Sequence, residues 1–115
     1  MGFKAVPYTD VELENVTEEG AKGAKIRWLI SKKDQATRFA MRYFEITEGG
    51  HSPLHSHPWE HEVFLMKGKC KVVCDGEESV LTEGGVIFVP ENAEHNFQNI
   101  GEGELQFICV VPIMD

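Results

Sequence analysis

Long apolar runs are missing from this sequence. None approaches the roughly 20 consecutive apolar residues that a membrane-spanning helix needs, and the start, MGFKAVPYTD, lacks the apolar core of a secretory signal. A cytoplasmic protein is therefore expected. Positive charge is also short: 11 Lys and Arg stand against 19 Asp and Glu, a formal charge of -8, so phosphate backbones and anionic lipid surfaces are repelled. Neither a nucleic acid nor a membrane is an expected partner. Position six is Val6 rather than Ser or Thr, which breaks the N-myristoylation pattern.

Cysteine is scarce and odd in number: Cys70, Cys74 and Cys109 read as free thiols. CKVVC at 70–74 reads as a strand followed by an Asp75-Gly76 turn. Four strand steps put the two Cα atoms about 13 Å apart, beyond the roughly 7 Å limit of a disulfide. Internal repeats, low-complexity tracts and any convincing helical pattern are lacking as well. A chain of 115 residues without them makes one domain, burying about two thirds of its unfolded surface.

What is present is a succession of short runs rich in β-branched and aromatic residues, cut by Gly, Pro, Asn and Asp. They cover 24–30, 37–46, 54–57, 61–67, 69–74, 78–82, 85–90, 94–100 and 104–113. Runs this short and this regularly spaced indicate an all-β antiparallel sandwich or barrel. Asp75-Gly76 suits a type I′ hairpin, and Gly84-Gly85 and Gly101 to Gly103 mark two more turns. Residues 1–23 read as an irregular N-terminal segment with a possible edge strand near Val6 to Val11, and 24–113 as the domain proper.

Three of the five histidines crowd into HSHPWEH at 55–61. On an extended chain His55 and His57 share a face, about 6.6 Å apart, so both imidazoles can reach one ion. His61 would share an inward face with Val63 and Leu65, and His95 with Phe97. The spacing of these residues is a pattern in itself. Gly49, His55, His57, His61 and Gly68 form one motif, and Gly84, Pro90, Asn92, His95 and Asn99 a second. Asn, like Gly, tolerates a positive φ in a turn.

These two motifs resemble those of the cupins, over about residues 24 to 113. His61 stands where that family more often has Glu, and Asn92 where it has Gly. The nearest likeness is to small single-domain cupins whose metal is held by four histidines. The resemblance implies a jelly-roll β-barrel with little or no helix, commonly a homodimer, with one divalent transition metal on His55, His57, His61 and His95. Mn or Fe is implied first, with Ni, Cu, Co or Zn as possible occupants, since imidazole suits them all. Glu62 is the alternative to His61 as ligand if four residues precede the acid, which shortens the gap to Gly68 to five; Glu60 is a more distant one.

The last strand should turn Leu105, Phe107, Cys109 and Val111 inward, and Phe97 should join them, giving a largely apolar pocket. Cys109 is then either a small buried hydrophobe or an oxidisable thiol beside the metal. Periodicity leaves both faces of 37–46 open. Comparison with the four-histidine cupins favours Arg42 facing the pocket, holding an anionic or carbonyl group, with Phe39, Met41 and Tyr43 as an outward apolar patch for a dimer contact. The substrate pocket expected is thus Arg42, Phe97, Phe107, Cys109 and Val111. His51 is expected in a loop, and Trp59 over the metal-binding turn.

The function implied is that of a metal-dependent oxidoreductase, dioxygenase-type, using dioxygen or peroxide on a small organic molecule. A metal-dependent isomerase or lyase on a sugar or keto acid is the alternative, and a non-enzymatic small-molecule-binding cupin the third reading. No catalytic residue is assigned.

Overall fold

Alternation of apolar and polar residues along the sequence becomes alternation of burial along the strands of the computed structural model, which describes residues 2–114. The strands are β1 (Glu14–Asn15), β2 (Lys22–Ile30), β3 (Phe39–His51), β4 (His61–Lys67), β5 (Cys70–Cys74), β6 (Glu77–Leu81), β7 (Val86–Val89), β8 (His95–Asn99) and β9 (Leu105–Pro112). All pair antiparallel, in the order β6-β5-β8-β3-β9-β4-β7, with β2 on β3 and β1 on β2. The sheet curls into the half-barrel of a jelly roll. The described residues contain no α-helix, only 3-10 turns at Tyr8–Asp10 and Lys32–Asp34.

Hairpin chemistry sets much of the path. Asp75 and Gly76 both have positive φ, 48° and 83°, as a type I′ turn demands, and they join β5 to β6. Strand β3 runs past its expected end at Ile46 to His51, which therefore closes a strand instead of lying in a loop. Along it the partner changes from β9, opposite 39–46, to β8, opposite His51. The crossing is tight at Gly50, where a Cβ would lie 2.4 Å from the Lys22 carbonyl oxygen.

The inward face is layered. Ile46 pairs with Leu105, and Leu65 with Phe107; all four are at most 1% exposed and plug one end of the barrel. Each such burial contributes about 1.5–3 kcal/mol. Arg42, Cys109 and Val63 form the next row, and beyond it Ala40 pairs with Val111 and His61 with Val89. Histidines thus occupy the end opposite the apolar plug.

Three further expectations need correction. LHSH at 54–57 is no strand: only an isolated bridge joins His55 to His95. Pro53 and Pro58 flank the segment, removing amide donors and restricting the residues before them. The edge strand near Val6 to Val11 is replaced by the Tyr8–Asp10 turn, with the paired segment falling later, at Glu14–Asn15. Arg27 donates to the carbonyls of Thr9 and Val11 that a ladder would have used. Tyr43 does not belong to an outward patch, because Tyr8 lies on its ring at 5.0 Å and the Arg27 guanidinium at 5.8 Å, leaving it 1% exposed.

No helix among the described residues is long and apolar enough to cross a membrane.

Candidate metal centre

Four imidazoles meet where the HSHPWEH loop crosses the ends of β4 and β8. His55 is fixed by backbone hydrogen bonds with His95 in both directions, at 3.2 and 2.9 Å, and His57 hangs two residues on. His61 and His95 open β4 and β8 from the buried face. Ring centroids of neighbouring pairs lie 4.3–5.1 Å apart.

Each ring is turned by a partner on Nδ1. His57 faces the Trp59 carbonyl oxygen at 3.1 Å, His95 that of Ala93 at 2.9 Å, and His55 the Glu18 carboxylate at 2.5 Å. An oxygen acceptor at Nδ1 assigns the proton there and leaves the Nε2 lone pair free, the tautomer a metal ligand needs. His61 Nδ1 faces Cys109 Sγ at 3.0 Å and Arg42 at 3.4 Å.

The donor set fits a metal ion. His55, His57 and His95 each offer a ring nitrogen within 4.8 Å of the others. His61 stands outside that mutual set, yet its Nε2 lies 2.5 Å from Nε2 of His57. Nε2 of His95 is buried with no hydrogen-bond partner in the protein, a condition that costs about 1–3 kcal/mol unless something else satisfies the atom. Burial lowers the His57, His61 and His95 pKa values, that of His61 to about 2, with the Arg42 charge adding to the effect. Burial thus favours the neutral form of these three rings, the form ligation requires. Glu62, the alternative ligand, and Glu60 are exposed. Glu62 pairs in the sheet with Val110 and Phe88 and faces away from the cluster.

The imidazoles border a cavity of about 520 Å³. Its walls include Trp28 on β2, Arg42 and Phe44 on β3, and Phe97, Phe107 and Cys109. Arg42 lies over the Phe44 ring at 5.0 Å and the Trp28 ring at 5.6 Å and donates to Cys109 Sγ at 3.1 Å. Burial raises the Cys109 thiol pKa against the opposing pull of Arg42. Trp59 stacks on His57 at 4.3 Å and 7°. Of the residues expected in the pocket, Val111 alone is off the wall, packed in the core beside Ala40.

Two sets of wall residues escaped sequence reasoning. Trp28 was within reach, since Ala24, Ile26 and Trp28 alternate onto one face of β2. The strap from Glu14 to Glu18 was not: it is short and polar, and nothing in its pattern ties it to histidines some 37 residues on.

Residues 42–111 match the Cupin domain family. Among curated proteins the chain is 31% identical over 71 residues to 1-methylthio-D-xylulose 5-phosphate methylsulfurylase of Rhodospirillum rubrum, covering 62% of this chain and 46% of that one. It is 25% identical over 100 residues to polyketide synthase CurC of Streptomyces cyaneus, covering 85% and 65%. The chain thus spans less than two thirds of either relative. Among solved structures, the polyketide cyclase RemF of Streptomyces resistomycificus superposes with a TM-score of 0.90 at 35% identity, over 97% of this chain and 80% of that one.

Proposed function

The chain belongs to the cupin family, and on that premise we propose that it is a metal-dependent enzyme acting on a flat, carbonyl-rich organic molecule, closing a ring within it. The observation that carries this reading is the convergence of imidazole ring nitrogens beside an aromatic-walled cavity. The likeness to a polyketide cyclase supports the substrate class. A polyketide is a chain of alternating carbonyls and methylenes, and ring closure in it needs one carbonyl polarised and a methylene farther along the chain, acidified by its own flanking carbonyls, deprotonated to attack it.

His55, His57, His61 and His95 are the proposed ligands, with Mn or Fe favoured and Ni, Cu, Co or Zn also suited to imidazole. A divalent ion there supplies Lewis acidity toward a substrate oxygen, undiminished by any carboxylate ligand. The other roles fall to the walls. Trp28 and Phe44 offer faces for a planar substrate, and Phe97, Phe107 and Cys109 keep water from the floor. Arg42 donates N–H bonds to a carbonyl or anionic oxygen one imidazole ring away from the Nε2 cluster.

The second reading is an oxidoreductase of dioxygenase type, favoured by the apolar lining next to an all-imidazole donor set. One experiment separates them: a linear poly-β-ketone is incubated with metal-loaded protein under nitrogen and under air, followed by absorbance of aromatic product. Ring closure under nitrogen, lost in His57→Ala, supports the first. Turnover only in air supports the second. Neither, with metal bound, leaves a small-molecule-binding cupin.

We further propose a homodimer through the outer face of β3, β9, β4 and β7, where Phe39, Phe64, Val86 and Phe88 stand 50–72% exposed.

A further inference from the structure

We infer that Glu18 is the positioning residue of His55, and that through it metal occupancy is tied to closure of the N-terminal strap over the cavity. This rests on His55 being a ligand, as proposed above.

Three of the four imidazoles take their orientation from the framework: His57 from the Trp59 carbonyl, His95 from that of Ala93, and His61 from Cys109 on β9. His55 differs. Its backbone is fixed by His95, but its ring, with a side chain 30% exposed, is held by a side chain 37 residues earlier. Among the described residues Glu18 is the only carboxylate hydrogen-bonded to the cluster, and it accepts the Nδ1 proton at 2.5 Å. Removing it frees the ring to turn its other nitrogen inward. At 53% exposure the Glu18 charge is largely screened, so what it supplies is chiefly direction. Groups that orient ligands in this way are typically worth 10–100-fold in metal affinity.

Besides Val16, which packs partly buried against the core, the strap carrying Glu18 has few other holds. Strand β1 is two residues long, paired with Lys25 and Ile26, and Val16 donates to the Ala24 carbonyl at 3.0 Å. No side chain from Glu14 to Glu18 is fully buried. Such a segment opens locally at small cost, yet Glu14 to Glu18 make one wall of the cavity. An ion on His55 fixes the ring, and the fixed ring holds Glu18. Linkage makes the coupling reciprocal: a tenfold gain in metal affinity from the closed strap is a tenfold shift of the strap toward closure when metal binds, about 1.4 kcal/mol.

The experiment pairs metal affinity, from competition with a chelating indicator for Mn, with hydrogen exchange of the Val16 amide, in wild type, Glu18→Ala and Glu18→Gln. Expected are one ion per wild-type chain, affinity 10–100-fold weaker in Glu18→Ala, and most of it restored in Glu18→Gln, whose amide oxygen still accepts from Nδ1. In wild type, metal should protect Val16 by a factor matching the affinity loss; in Glu18→Ala it should not. Unchanged affinity in Glu18→Ala, or Val16 exchange indifferent to metal in a wild type that binds it, overturns the inference and leaves the metal site standing. A wild type that binds no ion overturns the metal site and takes the inference with it.

Discussion

Cys109 Sγ lies 3.0 Å from Nδ1 of His61, the one imidazole of the cluster whose Nδ1 faces neither a carbonyl nor a carboxylate. Arg42 stands 3.4 Å from the same nitrogen. The two neighbours differ in what they allow: the sulfur can accept a hydrogen bond from Nδ1–H, whereas the guanidinium can only donate to Nδ1 and would drive the proton to Nε2. Cys109→Ala removes the acceptor and leaves Arg42 in command. The expected result is metal affinity lowered about tenfold or more, with Cys109→Ser, which keeps an acceptor, close to wild type. Competition with a chelating indicator measures it, and equal affinities in all three proteins would remove Cys109 from any role at the metal.

Elemental analysis tests the proposed ligands. Protein purified without added metal should carry about one ion per chain, lost in His55→Ala, His57→Ala, His61→Ala and His95→Ala and kept in Glu62→Ala. Retention in His61→Ala with loss in Glu62→Ala would mean that the exposed carboxylate swings inward to bind. Because an ion that binds only the folded chain stabilises it by mass action, chelation should lower the melting temperature of wild type and leave that of His95→Ala unchanged.

Much of this architecture is legible in the sequence because strands written with period two declare their buried face. Leu105, Phe107, Cys109 and Val111 alternate inward, all at most 7% exposed, and Asn92 takes the φ of 66° that its turn position requires. Legibility fails where the deciding contact is remote. On the face of β3 away from the barrel, Tyr8 buries Tyr43 while Phe39 stays exposed, so periodicity within β3 could not say which side was buried. LHSH has strand-like residues, but two prolines decide its conformation. Glu18 sits in an acidic stretch without apolar rhythm, and only the folded chain brings it to His55.

Alkaline stability follows from Cys70, fully buried at the plugged end of the barrel. Burial raises its thiol pKa to about 11 from a reference of 9.0. Below pH 9 the thiol is neutral in folded and unfolded chains alike, and the fold has its full stability. Between 9 and 11 the unfolded chain releases the proton while the folded one keeps it, so stability falls as pH rises, by up to about 3 kcal/mol. Urea unfolding at pH 8, 10 and 11 should show that decline, and Cys70→Ala should flatten it while lowering stability at pH 8 through the cavity it leaves. Burial raises Cys74 and Cys109 too, so the decline should shrink and not vanish. An identical pH profile in Cys70→Ala would show that Cys70 titrates normally.

Self-association should follow the outer face of the sheet. Across β9, β4 and β7 the register sets Ile108 beside Phe64 and Phe64 beside Val86, with Phe88 beside Glu62 in the adjoining row. Phe64, Val86 and Phe88 are 50%, 72% and 57% exposed, a concentration of apolar surface that commonly marks an interaction site. β7 also ends the sheet path, so a second copy can cover a free edge together with this face. Sedimentation equilibrium should give twice the 13.0 kDa chain mass for wild type. Phe64→Glu, placing one charge at the centre of the contact, should weaken association at least a hundredfold and leave one ion per chain in place. A wild-type monomer at high micromolar concentration would refute the dimer, and a dimer unaffected by Phe64→Glu would move its interface to another face.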